Sequence, residues 1–208
     1  MRFFWRLRRV VQSLIVRTKI LEAASRDSSA PSVAPLAALY PVRVRLRDGT
    51  EVLIRPIGPD DTEREQAFVR GLSAESRFFR FMSTLRELTP EMLYRFTHPD
   101  PQREVALVAL AGQGPGLRQI GVARCVADSA RGRAEFAIVV ADEYQNRGVG
   151  RRLLGELVRA ARALGLRGLW GDILATNRRM LNLMTAAGFE LHSVPADPLL
   201  RRASITLS

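Results

Sequence analysis

The segment from residue 134 to residue 164 restricts the fold of this chain more than any other part. Residues 134–140 are apolar apart from Glu135 and have the character of a long buried strand. A polar loop containing Gly148 and Gly150 follows, and leucines then recur at helical spacing from residue 150 to residue 164. The pattern predicts a strand, a glycine-containing loop and an amphipathic helix in direct succession.

The loop at residues 145–150 has the properties of an anion-binding site. The first turn of a helix offers unpaired N–H groups and the positive end of the helix dipole. Glycine at positions 148 and 150 lets an anion approach the backbone closely. Arg147, Arg151 and Arg152 add charge in a form that suits phosphate oxygens. We therefore expect the loop to bind a pyrophosphate, the alternative being a helix start without a ligand.

Two other phosphate-binding loops do not match this sequence. A Walker A loop needs a lysine directly after its last glycine, and the only lysine of the chain is Lys19. A dinucleotide-binding loop would need a third glycine where the chain has Leu153. Nucleotide triphosphates and dinucleotides are therefore not the expected ligands.

The chain divides into three regions by composition. Residues 1–24 form a basic amphipathic segment, residues 25–39 form a linker rich in Ser, Pro and Ala, and residues 40–208 contain the folded domain. Strand and helix patterns are mixed throughout the third region, which predicts a single α/β domain of the α+β kind.

The basic N-terminal segment has several interpretations. It is too short and too charged to span a bilayer, and no small-residue cleavage site typical of a signal peptide follows closely. We expect a cytoplasmic protein, and contact between residues 1–24 and an anionic membrane surface is one role for the segment. A solvated helix, a disordered leader and a misassigned start codon are the alternatives.

The net charge of +11 gives little support to a nucleic-acid partner. Nearly all the positive charge is arginine, which indicates compositional bias, and the chain lacks a clear DNA-reading helix or an aromatic RNA-binding platform. Nor is a metal site expected. Cys125 is the single cysteine and lies in a strand pattern, while His98 and His192 are far apart in sequence and fit no ligand spacing.

Three residues of the loop match a known coenzyme motif. Gln145, Gly148 and Gly150 stand at the positions that characterise the GNAT superfamily of acyl-CoA N-acyltransferases, and residues 177–189 are similar to that family's late helix, which ends in Gly-Phe. The resemblance covers about residues 40–194. It implies a mixed, splayed and mostly antiparallel sheet of about seven strands with helices on both faces.

A longer series of phrases is similar to the acetyltransferase domain of bacterial protein lysine acetyltransferases of the Pat type. These phrases lie at residues 40–41, 46–49, 54–56, 72–76, 80–81, 103–108, 121–124 and 134–137. The resemblance implies acetyl-CoA as the donor and a protein lysine as the acceptor. Pat-type enzymes often carry a further regulatory or acyl-CoA-synthetase-like domain, and this sequence shows neither, so the resemblance leaves any allosteric control undecided.

Glu135 is the candidate general base. Attack on a thioester needs a neutral amine, and Glu135 is the one carboxylate within the apolar strand that leads to the coenzyme loop. Burial would raise its pKa toward a useful value, and the Pat resemblance makes the corresponding glutamate catalytic. The alternative is a solvated side chain that points outward from the strand.

The remaining predicted site residues bind the coenzyme. Backbone groups of the strand should hold the pantetheine arm like an added strand, and an N–H of Val139 or Val140 should polarise the thioester carbonyl. Asn177 either contacts the pantetheine or caps its helix. The predicted coenzyme-binding residues are Ile138, Val139, Val140, Gln145, Asn146, Arg147, Gly148, Val149, Gly150, Arg151, Arg152 and Asn177.

One position departs from the family pattern. Many superfamily members have a tyrosine in the late helix that protonates the leaving thiolate, and the spacing places Met184 there. A thiol with an ordinary pKa near 8.5 gives a tolerable leaving group, so we expect activity without this acid. Two alternatives to a protein acceptor stay open: a small-molecule amine, or a non-catalytic domain that binds acyl-CoA and acts as a regulatory module.

Overall fold

The computed structural model describes residues 34–128 and 132–207. The basic segment at residues 1–24 and most of the predicted linker lie outside this described part. The last six residues of that linker form helix α1 (Ala34–Leu39), and Leu36 within it is buried against the core. Packed structure therefore begins within the segment that composition assigns to the linker.

The described chain contains strands with the following bounds: β1 (Val42–Arg45), β2 (Glu51–Pro56), β3 (Glu104–Ala111), β4 (Arg118–Asp128), β5 (Arg133–Val140), β6 (Gly168–Leu174), β7 (Glu190–Ser193) and β8 (Leu200–Thr206). The further α-helices are α2 (Thr62–Gly71), α3 (Ala74–Phe81), α4 (Pro90–Thr97), α5 (Val149–Ala163) and α6 (Arg178–Ala186). Strand β5, the loop after it and helix α5 occur where the sequence pattern predicts them.

The strands form one sheet in the order β1-β2-β3-β4-β5-β6-β8-β7. All neighbours are antiparallel except β5 and β6, which run parallel. This confirms the expected mixed and mostly antiparallel sheet, with eight strands rather than about seven.

Strands β5 and β6 pair over a short distance only. Their register runs from Arg133↔Gly168 to Glu135↔Trp170, whereas β4 accompanies β5 along its whole length. Beyond Glu135 the two strands separate, so the sheet opens into a gap beside the second half of β5. The gap divides the sheet into a half with β1–β5 and a half with β6–β8.

Helices cover both faces of the sheet. Helix α5 buries its leucine face against β3, β4 and β5, and α6 joins the same core. Helices α2, α3 and α4 cover the opposite face, where Phe68, Phe81 and Phe96 are buried. Because β3 is covered on both faces, nearly all its side chains are buried, and its sequence is an almost continuous apolar run.

Candidate active site

The gap leaves one edge of β5 available for a ligand. Ala141 donates its backbone N–H to the carbonyl oxygen of Ile120 on β4 at 2.9 Å. Since bonded and non-bonded pairs alternate along an antiparallel ladder, Val139 is also bonded to β4, whereas the backbone groups of Ile138 and Val140 face the gap. An extended ligand can therefore add to this edge as a strand would.

A cleft of about 420 Å³ continues from this edge to the loop before α5, between α3 and α6. Most of the predicted coenzyme residues line it. They are Ile138, Val139, Val140, Gln145, Asn146, Gly148, Gly150, Arg151 and Asn177. The structure therefore brings together, in one cleft, residues that lie almost forty positions apart in the chain.

The loop has a sharply turned backbone that exposes the start of α5. Asn146 (φ 59°) and Gly148 (φ 95°) both have left-handed conformations, which favour glycine at position 148. A Cβ atom built on Gly148 would meet nothing within 4 Å, so the space over this residue is open. The N–H groups of the first turn of α5 are thus accessible to an anion, and the site fits the pyrophosphate of acetyl-CoA.

Gly150 has a different environment from Gly148. A Cβ atom at position 150 would lie 3.3 Å from Cδ2 of Leu183 and 3.7 Å from Cγ2 of Val140. Gly150 therefore allows α5, α6 and β5 to approach one another closely at the side of the cleft.

The arginines predicted to bind phosphate do not all lie in the cleft. Arg151 lines it, as does Arg178, which the prediction did not include. Arg147 instead forms an ion pair with Asp48 at 3.3 Å, and its guanidinium lies 5.3 Å from the centre of the Tyr144 ring. Arg152 is exposed outside the cleft, and Val149 is a core residue at 1% exposure.

The side chain of Gln145 connects three parts of the cleft wall. Its Nε2 donates to the carbonyl oxygen of Val140 at 3.2 Å and to Oγ of Ser76 at 3.1 Å. Its Oε1 accepts from Arg179 at 2.7 Å. In this arrangement the amide of Gln145 orients the loop relative to β5, α3 and α6.

Asp142 fixes the beginning of α3 beside the same loop. Its carboxylate accepts the N–H and hydroxyl of Ser73 at 2.8 and 2.7 Å and the hydroxyl of Ser76 at 2.7 Å. Burial alone would raise the pKa of Asp142, but these hydrogen bonds outweigh burial and lower it below its ordinary value. The carboxylate is thus ionised at neutral pH and anchors α3.

A second, narrower cavity of about 70 Å³ lies next to the first, at the end of the paired part of β5. Glu135 lines it and is 9% exposed, so the alternative of a solvated, outward-pointing carboxylate does not hold. Phe79, Phe136 and Ile173 supply apolar walls. The cavity therefore combines a buried carboxylate with apolar side chains, next to the free edge of β5.

Residues that the sequence analysis did not single out complete this cavity. Asp172 on β6 lines it and forms a two-pronged ion pair with Arg202, with both distances 2.7 Å. Arg80 on α3 lines both this cavity and the larger cleft. Arg80 lies in one of the stretches that are similar to Pat-type proteins, but nothing in its sequence neighbourhood indicates proximity to Glu135.

In the late helix, the position where many superfamily members have a tyrosine lies in the core. Met184 is fully buried in the core and does not line either cavity. Asn177 and Met180 line both cavities instead. Asn177 also caps α6, because its Oδ1 accepts from the N–H of Met180 at 3.1 Å.

Two further findings concern the described residues only. Among residues 34–128 and 132–207, no three His, Cys, Asp or Glu side chains come together in a way that could hold a metal ion. None of the helices in this part of the chain is long and apolar enough to cross a membrane.

Comparison with known proteins identifies relatives of the chain. The sequence model of the acetyltransferase (GNAT) family matches residues 73–189. An acetyltransferase of Pseudomonas aeruginosa is 38% identical over 152 residues, which cover 73% of this chain and 82% of that protein. The acetyltransferase Pat of Mycolicibacterium smegmatis is 29% identical over 153 residues, which cover 73% of this chain and 45% of that protein.

Solved structures agree with these relatives. The GNAT domain of S. lividans PAT has a TM-score of 0.74 and 30% identity, over 82% of this chain and 98% of that domain. A cAMP-binding acyltransferase from Mycobacterium smegmatis has a TM-score of 0.56 and 25% identity, over 84% of this chain and 50% of that one. The resemblance to Pat-type proteins is thereby confirmed. The chain belongs to the GNAT family of acetyltransferases, which use acetyl-CoA as the acetyl donor.

Proposed function

We propose that this acyl-CoA-dependent N-acetyltransferase acetylates lysine side chains of proteins, with Glu135 as the general base. The observation that carries the proposal is the position of Glu135. It is a buried carboxylate in a narrow cavity with both apolar and charged walls, immediately beside the open edge of β5. Both reactants would meet at this point, because the donor occupies the edge and the acceptor enters the cavity.

The chemistry of lysine explains the need for a base. Its ammonium has an ordinary pKa of about 10.4, so removing the proton at pH 7 costs about 4–5 kcal/mol. Glu135 accepts this proton as the amine attacks. The apolar walls of the cavity suit the methylene stem of lysine, which can lie along them while its amine reaches the carboxylate. The similarity to proteins named Pat supports a protein acceptor.

The donor lies along the edge of β5 and over the start of α5. Bound acetyl-CoA supplies an activated thioester. The backbone groups of Ile138 and the N–H of Val140 hold its extended arm, and one of the two N–H groups polarises the thioester carbonyl. Val139 was an equal candidate in the sequence analysis, but its N–H is directed to β4. The loop at residues 145–150, with Arg151, holds the pyrophosphate.

A small-molecule amine is the second candidate acceptor. Two observations favour it: the cavity is only about 70 Å³, and it contains a second carboxylate, that of Asp172. Both features would suit a compact cation.

The membrane role predicted for residues 1–24 also stays a prediction, which liposome co-sedimentation with and without residues 1–35 would test.

The experiment compares the full chain with its Glu135→Gln variant in the presence of acetyl-CoA and a soluble protein extract. CoA release gives the rate, and mass spectrometry identifies acetylated lysines. Because Lys19 is the only lysine of the chain, self-modification adds little background. Glu190→Gln, which alters an exposed carboxylate on β7, is the matched control.

We expect Glu135→Gln to lower kcat by about 10²–10⁴-fold, with unchanged affinity for acetyl-CoA by calorimetry. Glu190→Gln should match the wild type. Retention of kcat within about threefold in Glu135→Gln would exclude Glu135 as the base. CoA release that depends on small amines, without protein acetylation, would establish the second candidate.

A further inference from the structure

Helix α3 connects the phosphate-binding end of the cleft with the cavity of Glu135. In its first turn, the hydroxyl of Ser76 is bonded to Asp142 and Gln145 beside the loop. Arg80 lies four residues later, about 6 Å further along the helix axis. At that point Arg80 lines both cavities. It is therefore the cation of α3 that reaches the junction between the donor cleft and the acceptor cavity.

Arg80 is half-buried and lies close to a group of buried charges beneath the sheet. Glu65 on α2 and Arg124 on β4 are 2% and 4% exposed, and Glu135 is 9% exposed. The register places Arg124 between Ala106 and Ala137, whose small side chains leave room for the guanidinium. Arg124 donates to the carbonyl oxygen of Phe96 at 3.0 Å and lies 4.3 Å from the centre of that ring.

The signs of these charges alternate toward the active site. The negative charges of Glu104 and Glu65 act on Arg124, and those of Glu65 and Glu135 act on Arg80, which shares the wall of the small cavity with Glu135. Arg80 is therefore the cation that links the interior charges to Glu135. Burial lowers the pKa of Arg80 to about 10, and the nearby Arg124 contributes to this. Arg80 nevertheless stays protonated at neutral pH.

Such an arrangement of charges destabilises the folded state unless each charge has an oppositely charged or hydrogen-bonding partner. A buried ion loses several kcal/mol of hydration, and removal of one partner leaves the other uncompensated. The acceptor cavity needs Glu135 itself, but it does not need Glu65, Glu104 or Arg124, which lie behind it. The burial of Glu65 and Arg124 close to Arg80 therefore requires an explanation beyond simple packing.

We propose that Arg80 is a positioning residue, which holds the carboxylate of Glu135 toward the acceptor cavity and keeps it ionised. The inference rests on the proposed role of Glu135. Gln119 donates a hydrogen bond to the buried carboxylate of Glu65, whose negative charge favours the guanidinium of Arg80.

The proposal has a consequence for the pH dependence of the reaction. The base must be ionised, and a neighbouring cation makes its carboxylate harder to protonate. In the pH profile, kcat falls at low pH as the base becomes protonated. Removal of the charge of Arg80 should therefore shift this low-pH limb of the kcat profile to higher pH. Further charged groups in this region include Glu65 on α2, Glu104 on β3, Arg124 on β4, Asp172 on β6 and Arg202 on β8, and they remain in every variant below.

The test is a double-mutant cycle on the full chain with Arg80→Gln, Glu135→Gln and the combined variant. We measure kcat as a function of pH and, separately, the affinity for acetyl-CoA by calorimetry. Arg80→Lys keeps the charge and is used if Arg80→Gln does not fold by circular dichroism. Arg86→Gln removes an exposed arginine close to α3 and serves as the control.

We expect Arg80→Gln to lower kcat about 10–100-fold, to shift the low-pH limb upward and to change the affinity for acetyl-CoA by less than about threefold. Arg80→Lys should lose less kcat and keep the limb near its wild-type position. In the Glu135→Gln background, Arg80→Gln should lower kcat by less than about threefold, because the carboxylate that Arg80 positions is gone.

Equal losses from Arg80→Gln in both backgrounds, or an unmoved pH limb in both Arg80 variants, would overturn the inference while Glu135 remains the base. Full activity of Glu135→Gln alone would instead overturn the proposed function and this inference together. The two failures are therefore distinguished by which single variant behaves unexpectedly.

Discussion

Gly148 and Gly150 lie two residues apart, but the structure gives each a different reason to be glycine. Gly148 has a left-handed backbone and open space above it, whereas Gly150 lies against Leu183 and Val140. The two positions therefore separate ligand contact from helix packing within a single loop.

Substitution by alanine should distinguish these roles. Gly148→Ala places a strained residue and a methyl group where the pyrophosphate would lie, so we expect acetyl-CoA affinity to fall by at least about tenfold. Gly150→Ala requires only a small movement of Leu183, and alanine favours the helix, so stability should change by less than about 1 kcal/mol and affinity by less than about fivefold. Calorimetric titration and urea unfolding measure both. A larger loss of affinity in Gly150→Ala would contradict this assignment.

Asp61 provides a test of stability that is independent of catalysis. It is 1% exposed and accepts two bonds of 2.7 Å from Arg55 and one of 3.0 Å from the N–H of Gly58. Burial alone would raise the pKa of Asp61, but the bonds and charge of Arg55, with the Gly58 N–H, lower it below its ordinary value. The folded state therefore favours the ionised carboxylate.

The lowered pKa of Asp61 predicts the direction in which the stability of the protein changes with pH. The stabilisation is complete above the unfolded pKa, about 3.9, and is lost as pH falls through the lower folded pKa. Asp61→Asn should cost about 2 kcal/mol at pH 7, since Arg55 is partly exposed, and the difference from wild type should shrink below about pH 4. Urea unfolding at pH 7 and pH 3 measures it. Asp60→Asn, an exposed neighbour, is the control, and a difference that grows at low pH would disprove the assignment.

At the scale of elements, the strand, loop and helix from β5 to α5 were predictable from sequence because their signals are local. Each of these signals depends only on residues that are close together in the sequence: an apolar run for the strand, two glycines for the loop and a helical repeat of leucines for the helix. The buried position of Glu135 within the strand followed from the same run. The cap of α6 by Asn177 was likewise visible, since capping depends on the next three residues.

Other parts of the site depend on contacts between distant segments, and no local pattern carries them. Arg147 looked like a phosphate ligand, but Asp48, 99 residues earlier, pairs with it. Asp172 and Arg202 meet because β6 pairs with β8. Arg80 meets the charges around Glu135 only because α3 packs against the sheet beside β5.

At the scale of the molecule, the division of the sheet should be visible in amide hydrogen exchange. The N–H groups of Ile138 and Val140 face the gap, whereas that of Val139 is directed to β4. Acetyl-CoA should therefore slow exchange at residues 138 and 140 much more than at residue 139. Exchange followed by NMR with and without the donor measures this. Equal protection of all three amides would mean that the donor does not add to the edge of β5.

The short pairing between β5 and β6 bears on the order in which the substrates bind. The half of the sheet with β1–β5 supplies the donor edge, whereas β6 supplies Asp172 to the acceptor cavity. An acetyl-CoA arm along β5 would fill part of the space between the two halves and supply a wall that the cavity lacks. An acceptor that arrived first would meet an incomplete binding site. The donor is thus expected to enter first, and the acetylated product to leave before free CoA.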